Sequence, residues 1–346
     1  MKTIMNSFVL SVIIFSTMQL KSIAQEYCAG VKSNDSWGFI DNTGKWIIQP
    51  QFEAVESFSE GLAGVKKSGN WGYINLDGKW VIEPVYKRAE DFSEGLGRVI
   101  IIQPGDDKWI YLTKEGKQAF TKQFANCQNF YEGLAGARDQ NNWGYIDKTG
   151  NFVIPDKFEH AEMFIDGRAR VKLDDVYGFI DNKGNWFLKT SCENIRDMRE
   201  GIAPAKGKKG WGYIDNKGKE IVPMTYEHAQ AISEGMGRVK KGSFGYVNGN
   251  GELVIKPEYD NARDFKNGMA AVKQGKKWGY IDKTGKFAIT PQFDNALWFQ
   301  EGGLANVAIG GTRPGCRDGK WGYIDRNGNY IWHPTILTNL HHFNRK

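Results

Sequence analysis

Asn70 to Pro84 reads NWGYINLDGKWVIEP, and this pattern returns with small changes along the chain. Aligned on its opening aromatic, it recurs at Trp37, Trp71, Trp109, Trp143, Tyr177, Trp211, Phe244, Trp278 and Trp321. The intervals are 34, 38, 34, 34, 34, 33, 34 and 43 residues. Nine copies at so steady a spacing are no accident, and a period in this range marks a repeat architecture. Repetition therefore overrides the two-domain expectation that 346 residues would otherwise carry.

Within a copy, W-G-Y-I-D is rich in aromatic and β-branched residues and reads as a strand. A D-x-x-G turn follows, as at Asp41 to Gly44 and Asp147 to Gly150. Asp at the first position and Gly at the fourth are type I turn preferences, the glycine taking positive φ. A second strand such as Lys45-Trp46-Ile47-Ile48 comes next, ended in most copies by proline, which cannot donate to a ladder. A less regular F-E-x-A-x-x-F stretch leads to E-G-L-A-x-V, a third strand that returns to the next W-G. Cys28-Ala29-Gly30-Val31 matches Leu62-Ala63-Gly64-Val65, so the first copy starts in phase.

These residues resemble the WG-repeat family of β-rich proteins. The likeness rests on Trp71-Gly72-Tyr73-Ile74, the Gly78-Lys79 turn, Pro84, and Phe92-Ser93-Glu94-Gly95-Leu96. It covers nearly everything after the first 24 residues and implies a repeat scaffold without naming a ligand. Trp109-Ile110 lacks the glycine, and Tyr177 and Phe244 replace the tryptophan. The fold expected is all-β: an open array or solenoid of nine three-stranded antiparallel β-meander units over residues 25–346. A lone hairpin is marginal in water, whereas stacked copies bury a continuous core. A closed propeller-like ring is the alternative, disfavoured because 34 residues fall short of the roughly 40–45 of a four-stranded blade.

Equivalent positions can be compared copy by copy. The rows through Ile47, Val81, Val153, Phe187 and Val254 and through Ile48, Ile82, Ile154 and Ile255 are apolar throughout. Adjacent strand residues face opposite sides, so both faces read as core, with the opening tryptophans. A third row is large but tolerates Gln118 and Glu220: Trp46, Trp80, Phe152, Trp186, Leu253, Phe287 and Tyr330. A partly exposed aromatic row can stack sugars or anchor a protein. Trp46, Trp80, Phe152, Trp186, Phe287 and Tyr330 are accordingly the candidate ligand- or partner-binding residues, although the row could equally cover the edge of the neighbouring unit. His160 and His228 share one slot two copies apart, too far for a common metal, and read as surface loop residues. Insertions at Ile100 to Lys108 and Ala308 to Lys320, the latter carrying Cys316, fall where repeat arrays often place binding loops.

The opening residues read as an export signal, with Lys2 before an apolar Phe8 to Met18 core and cleavage expected after Ala24. That core is shorter than the roughly 20 residues of a spanning helix, and no second hydrophobic run follows. Loss of Lys2 and Lys21 would lower the formal charge from +6 to +4, with no basic block to suggest nucleic-acid binding. An exported chain can form disulfides, but Cys28, Cys127, Cys192 and Cys316 allow three pairings. The carboxylates recur in register, from Asp41 to Asp325 and from Glu60 to Glu301, as a structural requirement demands. With no G-x-S-x-G, H-E-x-x-H or C-x-x-C, no catalysis, metal or cofactor is expected. The reading is a secreted or periplasmic, non-catalytic scaffold for an unknown envelope or extracellular protein. Glycan or cell-wall binding through the aromatic row is the alternative, and a polysaccharide hydrolase a third.

Overall fold

The computed structural model describes residues 28–310 and 320–333. The expected export signal and Cys316 lie outside them. Numbering units 1 to 9 by the opening aromatics, unit 2 makes four antiparallel strands in chain order: Ala54–Ser59, Leu62–Lys67, Asn70–Asn75 and Trp80–Ala89. Sequence neighbours are sheet neighbours here and in the units that follow. The long Trp80–Ala89 strand pairs with Asn70–Asn75 near its start and with Leu96–Ile101 at its end. It therefore joins units 2 and 3 in one six-stranded sheet, and the nine units form eight sheets.

The three-stranded meander expected from sequence is thus corrected to four strands. The F-E-x-A-x-x-F stretch supplies the additional one. It fits into 34 residues because the turns are minimal. Ser59 pairs with Leu62 across Glu60-Gly61, and Lys67 with Asn70 across Ser68-Gly69. All four turn residues have positive φ, from 51° to 87°, the primed turn whose twist matches the flanking strands. The D-x-x-G turn is held by its own acid: Asp41 Oδ1 accepts from the amides of Thr43 at 2.8 Å and Lys45 at 3.0 Å.

The open array is also overturned. In each unit the D-x-x-G glycine lies on the outer strand of the unit before it. A Cβ on Gly78 would come within 3.3 Å of Ile48, on Gly116 within 3.1 Å of Ile82, and on Gly328 within 3.3 Å of Ile289. Gly44 of unit 1 completes the cycle: its Cβ would meet the carbonyl oxygen of Ile331, in unit 9, at 2.6 Å. Ala29, Val31 and Ile40 share a buried cluster with Leu304 and Tyr323, and Trp46 packs on Trp332 with ring centres 5.1 Å apart. The first unit stacks on the last as every other unit stacks on its predecessor. The molecule is a closed propeller ring, which leaves no apolar end face in water.

The Ile48 row is core, with Ile48, Ile82, Ile154 and Ile255 all buried. The Ile47 row is not, because its strand is the last of each unit and shows one face to solvent: Val81, Val153, Phe187 and Val254 are 37–47% exposed. Trp37, Trp278 and Trp321 are buried, whereas Trp71, Trp109, Trp143 and Trp211 are half-buried. Several carry a cation on one ring face, as Arg98 does over Trp109 at 4.6 Å.

Ring closure makes a specific demand on Gly44. Gly44→Ala should cost about 2–4 kcal/mol in denaturant unfolding, combining the left-handed backbone penalty of about 1–2 kcal/mol with displacement of the Ile331 carbonyl. Gly69→Ala, at the same φ of 84° but facing open space, should show the backbone cost alone. Equal losses at the two sites would mean that units 1 and 9 do not meet.

Candidate functional site: the channel wall

The first strands of successive units converge on one cavity of about 720 Å³. Asn194 to Asp197 come from unit 6, Gln230 to Ser233 from unit 7, Arg263 to Lys266 from unit 8 and Trp298 from unit 9. Because units 6 to 9 turn the same segment toward this space, that segment lies nearest the ring axis, and the cavity is the side of the central channel lined by units 5 to 9.

The wall is electrically divided. The slot just after the alanine of F-E-x-A is occupied in turn by Glu56, Glu90, Gln128, Glu162, Arg196, Gln230, Arg263 and Leu297. Acids fill it early in the ring and guanidinium groups later. Glu56 lies among Asp91 and Glu90; burial first, then those two charges, push its carboxyl up to about 7, against the pull of Arg88. On the opposite arc, Arg170 spans Glu162 and Asp197 at 2.9 Å each, and Arg238 binds Asp264 at 3.0 Å.

Arg196 and Arg263 have only neutral acceptors. Arg263 donates to the Ala296 carbonyl at 2.6 Å and to Asn295 Oδ1 at 3.2 Å. Arg196 donates to Gln230 Oε1, contacts His228 Nε2 at 2.9 Å, and lies over the Trp211 ring at 4.7 Å. Among the described residues neither has a carboxylate within ion-pair reach. Both are held below the usual guanidinium range by burial and then by neighbouring positive charge.

The histidines expected in loops belong to strands, His160 opening His160–Ile165 and His228 opening His228–Ala229. His160 is exposed. His228 faces Arg196; its Nε2 must accept from the guanidinium, which places the proton on Nδ1, a buried atom with no partner. Burial and then Arg196 lower its pKa, so it stays neutral. No group of three or more metal-ligating side chains occurs among the described residues.

The candidate aromatic row is distributed around the ring, one residue per unit, each half-buried. Trp80 packs edge-on against Phe52 with centres 6.0 Å apart, Phe152 against Phe124 at 6.3 Å, Phe287 against Tyr259 at 6.2 Å and Tyr330 against Phe293 at 6.3 Å. Trp46 meets Trp332, and Trp186 packs into the cluster of Phe158 and Ile154. Each partner belongs to the unit before, so the row is not gathered into one surface. Sequence reasoning passed over the charged channel slot, which lies two residues after Ala54, Arg88 and His160 in their copies. Comparison at Glu56, Glu162, Arg196 and Arg263 would have exposed the segregation of charge.

Cys127 and Cys192 are free thiols. Among the described residues no helix is long and apolar enough to cross a membrane.

A closed ring of W-G sheets with this internal period defines a repeat propeller, and the chain belongs to the WG containing repeat family. That family's model matches residues 37–71, 71–101, 111–143, 143–177, 177–210, 211–243, 244–278 and 278–312. No curated protein matches the chain. Among solved structures it is similar to a crystal structure of the eukaryotic initiation factor, a propeller, with TM-score 0.62 and 10% identity over 87% of this chain and 94% of that one. It also matches Kluyveromyces lactis Hsv2p at TM-score 0.39 and 10% identity, over 73% of this chain and 88% of that one. At such identity the first likeness speaks to fold alone, and the second adds nothing to it.

The acidic arc carries a pH signature. The folded state retains a proton on Glu56 that the unfolded chain releases near 4.5, so this group's contribution to stability falls as pH rises from about 4.5 through about 7. Glu56→Gln should match the parent in urea unfolding below that window and exceed it above. A constant difference across the range would show that Glu56 does not hold that proton.

Proposed function

We propose that this protein is an exported, non-catalytic scaffold whose outer wall docks a protein partner at or outside the cell envelope. The supporting observation is the row Val81, Val153, Phe187 and Val254, apolar side chains exposed on strands that run around the rim of the ring. Apart from the strand carrying Val81, these strands close their sheets, with one row of backbone donors and acceptors unpaired within the sheet. An extended partner segment can pair with such an edge while its side chains cover the apolar row. Phe187 lies beneath Arg168, whose guanidinium is 3.8 Å from the ring centre, so this site offers an aromatic with a cationic cover. A protein partner is favoured over a glycan because the Trp46 and Trp80 rings are engaged with neighbouring units.

The test uses the full chain expressed with its own N-terminus. Export should release a mature chain beginning at Gln25, read by intact mass. Cross-linking in the envelope should capture one defined protein, and the combined Val81→Lys, Val153→Lys, Phe187→Lys and Val254→Lys variant should lose about tenfold or more in affinity for it at unchanged unfolding temperature. Retention in the cytoplasm, or sedimentation with purified peptidoglycan that needs no protein partner, would sink this reading.

A further inference from the structure

The channel offers a second surface, independent of the outer wall. Arg196, Arg238 and Arg263 come from three successive units and line one cavity with Arg199 and Lys266. They are near enough that the Arg238 charge weighs against those of both Arg196 and Arg263. Only Arg238 of the three has a carboxylate partner, Asp264. Arg196 and Arg263 are half-buried with no ion-pair partner among the described residues, an arrangement that costs stability, and a fold that maintains it is organised for an anion. The two carboxylates on the same wall, Asp197 and Asp264, are taken up by Arg170 and Arg238.

We propose that Arg196, Arg238 and Arg263 bind a compact phosphate-type oxyanion, a phosphate ester or a polyphosphate, within the channel. A planar carboxylate is satisfied by a single guanidinium fork, whereas a tetrahedral phosphate presents oxygens in several directions and suits forks arriving from three units. Trp211 and Trp298 flank the cations and can hold a ring attached to the phosphate. Arg196 already lies over Trp211, and Lys266 over Trp298 at 5.7 Å.

The experiment is titration calorimetry of the full chain with inorganic pyrophosphate, and with citrate as a planar-carboxylate comparison. Pyrophosphate should bind saturably, weaken steeply with salt, and raise the unfolding temperature. Arg196→Gln and Arg263→Gln should each weaken it about tenfold. Without ligand, both variants should unfold at or above the parent's temperature, because each removes an uncompensated charge. Arg199→Gln provides a further substitution on the same wall should one of them fail to fold. Absence of heat and of thermal shift with pyrophosphate, binding unaffected by the substitutions, or tighter binding of citrate would each overturn the assignment. Failure here leaves the outer-wall reading intact, because the two surfaces share no residue.

Discussion

The hydroxyl of Tyr73 reaches past its own unit to the carbonyl of Glu90 in the next, at 2.6 Å, while its ring packs edge-on against Phe92, 4.8 Å away. The same pair of contacts recurs at Tyr111, Tyr145, Tyr246 and Tyr280, with ring separations of 4.8–5.0 Å. A tyrosine so deeply buried must find an acceptor or forfeit about 1–3 kcal/mol, and the nearest acceptor belongs to another unit. Satisfying the side chain therefore fixes the spacing and tilt between units. At unit 9 the rule closes on itself: Tyr323 donates to Gly30, the residue equivalent to Arg98 and Arg238, which receive a second, longer contact from Tyr73 and Tyr213. Where phenylalanine stands instead, as at Phe39, the ring contact alone persists, at 4.7 Å to Phe58.

A second linkage runs around the ring on the E-G turns. Glu60, Glu94, Glu132, Glu200 and Glu234 sit at φ of 52–54°, a conformation unfavourable for a residue with a Cβ by about 1 kcal/mol or more. Each carboxylate accepts the glycine amide of the following turn, as Glu60 does from Gly95 at 3.0 Å and Glu132 from Gly167 at 2.8 Å. Lys114 and Lys148 add an ion pair to Glu60 and Glu94. The strain is tolerated because the side chain ties two units together. These shared constraints leave the inner slot and the outer face free to vary, and it is there that the charged channel wall and the apolar rim appear.

The nine copies, the D-x-x-G turns, the Ile48 core row and the family resemblance were all legible in the residues, because each is a local requirement that most copies meet. The fourth strand was missed because in units 4, 6, 7 and 8 it is two residues long, as at Asn126–Cys127, and such a pairing has no periodicity to read. The Ile47 row reads as core because valine and isoleucine suit an exposed edge strand as well as a buried one. The channel arginines escaped notice because each is one charged residue among many until the ring brings them to a common axis.

Sequence by itself determined the unit: its length, its turns, its buried rows, and the number of times it is repeated. Whether the repeats close was decided only in three dimensions. Closure depends on the rotation between neighbouring units summing to a full circle, and that rotation is set by contacts such as Tyr73 on Phe92 and Gly78 on Ile48 that no single copy contains. The same geometry sorts the strands into inner and outer, and so places Arg196, Arg238 and Arg263 around one space while turning Val81 and Val153 to solvent.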